Sequence, residues 1–531
     1  MDVRGDVASR LFLPCRADDR LACPCLPQWT SDDLCALQWA KTTYAERRRV
    51  LRVMLDYIVT HQEEICSESV LDSGKTKIDA QFGEMLTTLE KLRWVLAEGE
   101  DALKPESRSS ANSLMTMHKK AWVEFHPLGV LAVIAPWNYP FHNLFGHIVA
   151  GLFAGNAVVL KASEHTSWSS QYYQAICDAA LEATGHSRDL VQIVTGFGET
   201  GAALVQADVD KIFFTGSGKV GKLVMRAAAE RLTPVVMELG GKDPMILCED
   251  CDFETVVHIA MRGTFQNCGQ NCVGIERIYV LESLHDKFLA AVVDKVKALR
   301  QGAPLLEDVD CGSMVMPGEI ERIQSLVDDA VAKGAKVVCG GRRNTSVAHK
   351  GGQYYEPTIL TGVDHSMRIT QEEVFGPIMV LMKAKNDADV VRLVNDCPFG
   401  LGSSVFSLDV ARAERIASQI RAGMTNVNDF GINYLCQSLP FGGVKESGFD
   451  RFAGIEGLRG CCLMKSCTRD RVPFIRTSIP PPLQYPLRNN SFPFSTALFS
   501  LGYNRTLTGK LKAIWGLITN AKPHAEKKKT E

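Results

Sequence analysis

The sequence predicts an α/β fold built from two adjacent α/β domains. From residue 128 onward, short apolar segments alternate with longer segments of helical periodicity, which is the pattern of βαβ units around a parallel sheet. At 531 residues the chain also exceeds the size at which one hydrophobic core stops growing. Ligands of such sheets bind beyond the carboxyl ends of the strands, so we expect the site in a cleft between the domains.

The predicted elements follow the chain in order. Helical periodicity over residues 44–66 predicts one early helix that packs on the surface. The first domain has predicted strands at 130–135, 157–160, 191–194, 211–214 and 235–239, with helices at 142–154, 168–183 and 218–232. The second domain has predicted strands at 277–281, 336–339, 378–382 and 403–406, with helices at 286–300 and 319–333.

Composition and charge exclude several classes of protein. The net charge of -2 gives no basic footprint for a nucleic acid. The 17 cysteines lack the paired spacing of a zinc site or a disulfide framework, so we expect reduced thiols and no bound metal. No apolar run reaches membrane-spanning length, and residues 1–28 contain no secretory signal and are predicted to be poorly ordered. The predicted location is the cytoplasm, or the cytoplasmic face of a membrane such as the endoplasmic reticulum.

The tail after Ser478 changes character. Prolines at 480–482 end regular structure, and residues 505–518 regain helical spacing beside several lysines. A basic amphipathic helix of this kind either lies on a membrane surface as a peripheral contact or docks against its own or a neighbouring subunit. The sequence leaves both interpretations open.

A glycine-rich turn marks a candidate nucleotide site. Residues 211–221 read as strand, turn and helix, with Gly216, Gly218 and Gly221 in the G-x-G-x-x-G spacing. Backbone amides at the start of such a helix favour a phosphate. Two carboxylates compete for the ribose hydroxyls, Glu238 about 20 residues further on and Glu164 in the segment 161–164 after a predicted strand. Only one is needed there, which frees the other for chemistry.

Three further side chains suit the oxidation of an aldehyde through a thioester. Cys272 lies in a polar, glycine-bearing turn, and a free cysteine with a pKa of about 8.5 is a strong nucleophile. Glu238 ends an apolar strand and offers a general base. Asn138 lies between Pro136 and Pro140, and its amide can stabilise an oxyanion, although a local turn bond would explain this residue alone.

Seven motifs, in family order over about residues 30–470, resemble the aldehyde dehydrogenase superfamily. They are Pro-Trp-Asn (136–138), Lys-x-x-Glu (161–164), Phe-Thr-Gly-Ser (214–217), Glu-Leu-Gly-Gly-Lys (238–242), Gly-Gln-x-Cys (269–272), Glu-Glu-Val-Phe-Gly-Pro (372–377) and Pro-Phe-Gly-Gly-Val-Lys (440–445). The closest resemblance is to the plant and fungal membrane-associated branch, similar to plant family 22. It rests on residues 124–130, residues 447–458 and the proline-bearing C-terminal extension.

The resemblance implies a role for each matched residue. Cys272 is the implied nucleophile, Glu238 the general base and Asn138 the oxyanion donor. The implied cofactor is NAD, because a carboxylate at the ribose disfavours the phosphate of NADP. The implied NAD-binding residues are Pro136, Trp137, Lys161, Glu164, Gly216, Ser217, Gly218, Gly221, Leu239, Glu373 and Phe375. The implied aldehyde-binding residues are Tyr139, Asn143, Phe430 and Tyr434, with Leu435 and Cys436 beside them.

The resemblance also implies a domain layout. A Rossmann-like NAD-binding domain would span 29–112 and 128–240, and a catalytic domain 241–457. A β-hairpin oligomerisation arm would come from 113–127 and 458–471, so that the chain forms a homodimer or homotetramer, and an extension with an amphipathic helix would cover 472–531. Phe452 stands where many members have a second glutamate, which leaves Glu238 as the base. Cys268 is either a small buried thiol or a redox partner of Cys272.

The predicted function is therefore NAD-dependent oxidation of an aldehyde to a carboxylate. A coenzyme A-acylating semialdehyde dehydrogenase is the second enzyme hypothesis, and a membrane-associated NAD-binding pseudoenzyme is the third. The largely apolar set of substrate residues favours medium or long aliphatic aldehydes, or aromatic ones.

Overall fold

The computed structural model describes residues 34–110, 115–347, 352–472, 474 and 478–522. The helices are α1 Leu34–Ala40, α2 Tyr44–Thr60, α3 Gln62–Ser73, α4 Lys77–Ala80, α5 Thr87–Leu103, α6 Pro140–Ala154, α7 Ser167–Ala183, α8 Gly198–Gln206, α9 Gly218–Ala229, α10 Phe253–Phe265, α11 Glu282–Lys297, α12 Glu319–Ala332, α13 Asp387–Asn395, α14 Val410–Ala417, α15 Ile432–Leu435, α16 Gly454–Gly460, α17 Ser491–Tyr503 and α18 Leu507–Thr519. The prediction for residues 1–28 lies outside the described residues.

The strands are β1 Glu106–Arg108, β2 Lys119–Pro127, β3 Val130–Ile134, β4 Ala157–Lys161, β5 Val191–Val194, β6 Lys211–Thr215, β7 Val235–Glu238, β8 Asp243–Leu247, β9 Ile275–Leu281, β10 Lys336–Cys339, β11 Thr358–Thr361, β12 Ile378–Ala384, β13 Ser404–Phe406, β14 Asn426–Val427, β15 Gly448–Phe449 and β16 Cys462–Asp470. They form two large α/β sheets and one small sheet, so the α/β fold is confirmed. The contacts divide the described residues into two compact units, one within 34–103 and 127–463, the other within 104–126 and 464–522.

The first unit contains both large sheets. One has six strands in the order β15-β7-β6-β3-β4-β5, all parallel except β15. The other has seven strands in the order β10-β11-β12-β9-β8-β13-β14, parallel except for β10. Strands β4, β8 and β9 are buried along their whole length, as expected of strands covered by helices on both faces.

Two sequence predictions were wrong here. The single helix over 44–66 is divided, because α2 ends at Thr60 and α3 begins at Gln62, with His61 outside helical geometry between them. Glu63 and Glu64 lie in the first turn of α3, where carboxylates are favoured. The central strand β8 was missed, because Pro244 argues against a central strand. The ladder accommodates this proline with a register shift beside it.

The second unit contains the small sheet, in the order β1-β2-β16, and the helix pair α17 and α18. The small sheet uses most of the segments predicted as the arm, but residues 458–460 belong to α16 instead. The predicted helix near 505–518 is present as α18. Exposed apolar side chains cover both helices, including Phe492, Phe499, Leu507, Leu511, Ile514, Trp515 and Ile518. Within the described residues, every helix is too short or too polar to cross a bilayer.

Candidate active site

Four parallel strands of the six-stranded sheet deliver the predicted side chains to one edge. Strand β3 is followed by Asn138, β4 ends at Lys161, β6 leads into Gly216, and β7 ends at Glu238. Because carboxyl ends of parallel strands meet at the same edge, residues far apart in sequence become neighbours there. A cavity of about 270 Å³ opens at this place, and its lining includes Asn138, Glu238 and Cys272.

Glu238 is a buried carboxyl with unusual protonation. Its side chain is 2% exposed, and Oε1 has no hydrogen-bond partner among the described residues. Burial raises the pKa of Glu238 to about 7, against a smaller opposing contribution from the Cys272 thiol beside it. A carboxyl with this pKa exchanges protons near neutral pH, as a general base requires.

Cys272 is half-buried and follows a strained turn. Asn267, Cys268 and Gly269 all have positive φ, between 51° and 73°, which costs energy in residues other than glycine. A side chain at Gly269 would place its Cβ 2.1 Å from the carbonyl oxygen of Gly376, so only glycine fits. The surrounding desolvation and the neighbouring Glu238 raise the pKa of the Cys272 thiol. The resting sulfur is therefore protonated, with a base at hand.

Asn138 is buried and held by a network from both directions. Its Nδ2 donates to the carbonyl of Gln270 at 3.4 Å, and its Oδ1 accepts from Asn143 at 3.2 Å. Its own carbonyl accepts from Lys75 Nζ at 2.7 Å and from Asn267 Nδ2 at 3.0 Å. These bonds fix the amide at the pocket next to the nucleophile turn.

A buried ion pair behind Asn138 was missed by the sequence reasoning. Lys75 Nζ lies 2.7 Å from Glu84 Oε1, and neither side chain is more than 1% exposed. The other oxygen of Glu84 accepts the backbone N–H of Phe141 at 2.6 Å, in the first turn of α6, where a carboxylate is favoured. The pair comes from a segment 54 to 63 residues before Asn138, and no local motif marks it.

The predicted nucleotide residues lie at the ends of β4 and β6. Lys161 Nζ is 2.9 Å from Glu164, and both follow the buried strand β4. Ser217 caps α9 by accepting from Val220 N at 3.4 Å. A Cβ at Gly221 would lie 2.4 Å from the Leu239 side chain, so this glycine lets the helix approach the sheet. The N-terminus of α9 after β6 and the Glu164 carboxylate after β4, with β3 between the two strands, fit the phosphates and ribose of a dinucleotide.

The segment with Glu373 and Phe375 is fixed by residues that the sequence did not indicate. Glu373 Oε1 accepts the N–H of Gly241 at 2.9 Å, and Phe375 packs edge-on to Trp137 with ring centres 5.6 Å apart. Glu276 accepts the N–H groups of residues 374 and 375, and Arg322 donates to the carbonyl oxygens of residues 373 and 374. The segment is therefore positioned before any ligand binds.

The cavity brings together the four predicted aldehyde-binding residues, Tyr139, Asn143, Phe430 and Tyr434, together with Leu435. Cys436 is exposed and lies outside this lining, so its predicted place in the substrate channel is wrong. Lining residues that the sequence reasoning missed or did not place there include Phe82, Leu86, His142, Phe441 and Phe452.

The structure shows the surroundings of Phe452 and Cys268, two residues singled out in the sequence analysis. Phe452, which stands in place of the second glutamate noted in the sequence analysis, packs on Phe441 with ring centres 4.8 Å apart and forms an apolar surface of the cavity. Cys268 is 1% exposed within a hydrophobic core cluster, and burial raises its pKa to about 12. Its burial supports the interpretation as a small buried thiol.

Comparison with known proteins shows a family. Residues 33–467 match the model that describes the aldehyde dehydrogenase family. A putative aldehyde dehydrogenase-like protein of Schizosaccharomyces pombe is 43% identical over 451 residues, covering 85% of this chain and 86% of that protein. One of Saccharomyces cerevisiae is 41% identical over 497 residues, covering 91% and 77%. The solved structure of Staphylococcus aureus betaine aldehyde dehydrogenase with NAD⁺ is similar with a TM-score of 0.74 at 32% identity, covering 82% of this chain and 85% of that chain.

Proposed function

This chain belongs to the aldehyde dehydrogenase family and is an oxidoreductase acting on aldehydes, and we propose that it oxidises an aldehyde to a carboxylate with NAD. The observation that carries the proposal is a single cavity lined by the Cys272 thiol, the Glu238 carboxyl and the Asn138 amide. These are a nucleophile, a base and an oxyanion donor, the groups needed for covalent acyl chemistry.

The chain's own residues account for the covalent steps. Cys272 loses its proton to solvent as the sulfur adds to the aldehyde carbon, which leaves Glu238 free for the second step. The Asn138 amide donates to the oxygen that becomes negative. A bound NAD would supply the acceptor for the hydride that the aldehyde carbon loses. The resulting thioester on Cys272 is attacked by water, from which Glu238 removes a proton, and the carboxylate product leaves with the thiol restored.

The cofactor assignment rests on the strand ends of the six-stranded sheet. Lys161 and Glu164 would hold the adenosine ribose, and the turn from Gly216 to Gly221, including Ser217 and Gly218, would hold the pyrophosphate. The segment of Glu373 and Phe375, with Pro136, Trp137 and Leu239, would hold the nicotinamide half. The Glu164 carboxylate would repel a 2′-phosphate, which favours NAD over NADP. The Staphylococcus aureus relative binds NAD⁺ in its structure, which supports this choice.

A substrate panel tests the proposed function. We expect NADH formation with hexanal, nonanal or benzaldehyde, without coenzyme A and with weaker activity on NADP. A strict requirement for coenzyme A would favour the acylating semialdehyde dehydrogenase, which has no need of Glu238 as a base. Binding of NAD without turnover of any aldehyde would favour the pseudoenzyme.

The Asn138→Ala variant tests the oxyanion role. We expect kcat to fall by about 10²–10³-fold with little change in KM, because the amide stabilises charge that appears only in the transition state. Steady-state kinetics with nonanal measure this, and thermal unfolding checks that the variant is folded. A kcat within threefold of the wild-type value would remove Asn138 from the mechanism.

The finer features of the family assignment also belong to this proposal. The two fungal relatives support an assignment to the plant and fungal branch, similar to plant family 22. Limited proteolysis would test the proposed domain boundaries at 128, 241 and 458.

We propose that the small sheet β1-β2-β16 is the oligomerisation arm, so that sedimentation should give a dimer or tetramer. The exposed apolar side chains of α17 and α18 support either a peripheral membrane contact, at the endoplasmic reticulum for example, or a subunit contact. Vesicle flotation with and without residues 479–531 separates them.

A further inference from the structure

A buried chain of hydrogen bonds leads away from the aldehyde pocket. The Tyr434 hydroxyl in α15 is bonded to His142 Nε2 in α6, and His142 Nδ1 is bonded to Thr88 Oγ1 in α5 at 3.0 Å. His142 is 5% exposed and Thr88 is fully buried. His142 and Tyr434 both line the cavity that contains Cys272 and Glu238. The mechanism proposed above uses none of these three side chains.

The imidazole of His142 is uncharged and needs both of its partners. Burial lowers the pKa of His142 to about 3, and the nearby Lys91 and His147 also disfavour a positive charge on it. A neutral imidazole has one donor and one acceptor nitrogen, so Tyr434 and Thr88 together satisfy the ring in either tautomer. Loss of either partner would leave a buried polar atom unpaired, which makes each bond costly to break.

The Tyr434 end of this chain lies in a segment with little intrinsic stability. Residues 430–435, called the pocket wall below, contribute five residues to the cavity lining. Its only helix, α15, has four residues, which is far too short to be stable alone. The wall is attached by Asn433 N to Asn426 Oδ1 at 3.2 Å, and by Gln437 Nε2 to the Tyr434 carbonyl at 2.7 Å. The bond from Tyr434 to His142 ties the wall to the helix that begins just after Asn138.

We propose that His142 is a positioning residue that fixes the pocket wall through Tyr434 and thereby sets the preference for long apolar aldehydes. The inference rests on the proposed function, since it names the substrate class of the same site. A long aldehyde buries more of its chain against this wall than a three-carbon aldehyde, and each buried methylene raises affinity by about fourfold. That gain requires a wall that stays in place through turnover.

The test compares kcat/KM for nonanal with kcat/KM for propanal in four variants. We expect the nonanal-to-propanal ratio to fall about tenfold in His142→Leu and in Tyr434→Phe, mainly through KM for nonanal. The double variant should be no worse than either single variant, because both remove the same bond. His142→Gln, which keeps a nitrogen that can reach Tyr434, should restore part of the ratio. If His142 only stabilised the fold, its replacement would lower kcat/KM for nonanal and for propanal by the same factor. His142→Gln would then not restore the nonanal-to-propanal ratio.

Tyr172→Phe is the matched control. The Tyr172 hydroxyl shares a hydrogen bond of 3.0 Å with the Tyr57 hydroxyl and does not line the cavity. The nonanal-to-propanal ratio of kcat/KM in Tyr172→Phe should therefore equal that of the wild type. If His142→Leu does not fold, Tyr434→Phe carries the same comparison, because it removes one oxygen from a half-buried ring. A ratio within twofold of the wild type in Tyr434→Phe, or additive effects in the double variant, would overturn the inference. A wild-type chain without activity on any aldehyde would instead defeat the proposed function.

Discussion

Replacement of Cys272 by alanine is expected to reduce aldehyde oxidation by at least about 10⁴-fold, because no other group can form the thioester. The cavity has no second nucleophile in its lining that combines a thiol with a neighbouring base. NADH formation at saturating nonanal measures the loss. Binding of NAD should persist, since Cys272 is not among the residues proposed to hold the cofactor.

Cys268→Ala is the matched control for this experiment. Cys268 belongs to the same strained turn, has a similar positive φ to its neighbour Asn267, and is absent from the cavity lining. Its loss should lower the free energy of unfolding through a small core cavity while leaving catalysis in place. If Cys272→Ala kept more than a hundredth of the wild-type rate, the thioester mechanism would be wrong.

Replacement of Glu238 by glutamine is expected to separate the two halves of the reaction. The first turnover should still release NADH in a burst, because the substitution removes the negative charge that helps to raise the Cys272 pKa. Steady-state turnover should fall by about 10²–10⁴-fold, because no base remains to activate water. Stopped-flow absorbance at excess substrate measures both phases. An unchanged steady state would contradict the assigned role.

The pH profile gives an independent signature of Glu238. The base acts only when ionised, so the wild-type steady-state rate should rise with pH through an apparent pKa near 7. The rate of Glu238→Gln should not rise with pH in this range.

The free energy of unfolding should change with the opposite sign. A carboxyl whose pKa is raised in the folded state stabilises the protein less as the pH increases. Relative to the glutamine variant, the wild type should lose on the order of 3 kcal/mol of unfolding free energy between pH 4.5 and 7. Denaturant titrations at several pH values measure this.

Local motifs explain why much of the site could be predicted. Cys272, Glu238 and Asn138 each lie in a short segment with its own turn or strand end, and the alternation of apolar segments indicated that Asn138 and Glu238 follow strands of the first sheet while Cys272 lies near the start of the second. The groups that hold them could not be found in this way. Lys75 reaches Asn138 across 63 residues, and His142 reaches Tyr434 across 292. Such contacts follow from packing, which leaves no periodic signal along the chain.

The fold was predictable where hydrophobic periodicity was clear and failed where a single residue overrode it. Strand β8 carries Pro244 in the middle of a sheet, and only its buried neighbours β9 and β13 reveal it as a strand. His61 interrupts a continuous apolar periodicity without a proline or a glycine. The exposed location of Cys436 depends on how the chain turns after α15, which no pattern in the sequence records.

The ion pair of Lys75 and Glu84 has a consequence for the energetics of turnover. The Lys75 amine donates to the backbone carbonyl of Asn138 and Glu84 secures the next helix, while Gln270 and Asn143 hold the side-chain amide, so this amide dipole is oriented as the chain folds. Solvent dipoles would have to rotate each time negative charge develops on a substrate oxygen, whereas this one is already aligned. The reorganisation that water would undergo in every catalytic cycle is thus completed once, in the folding of the molecule.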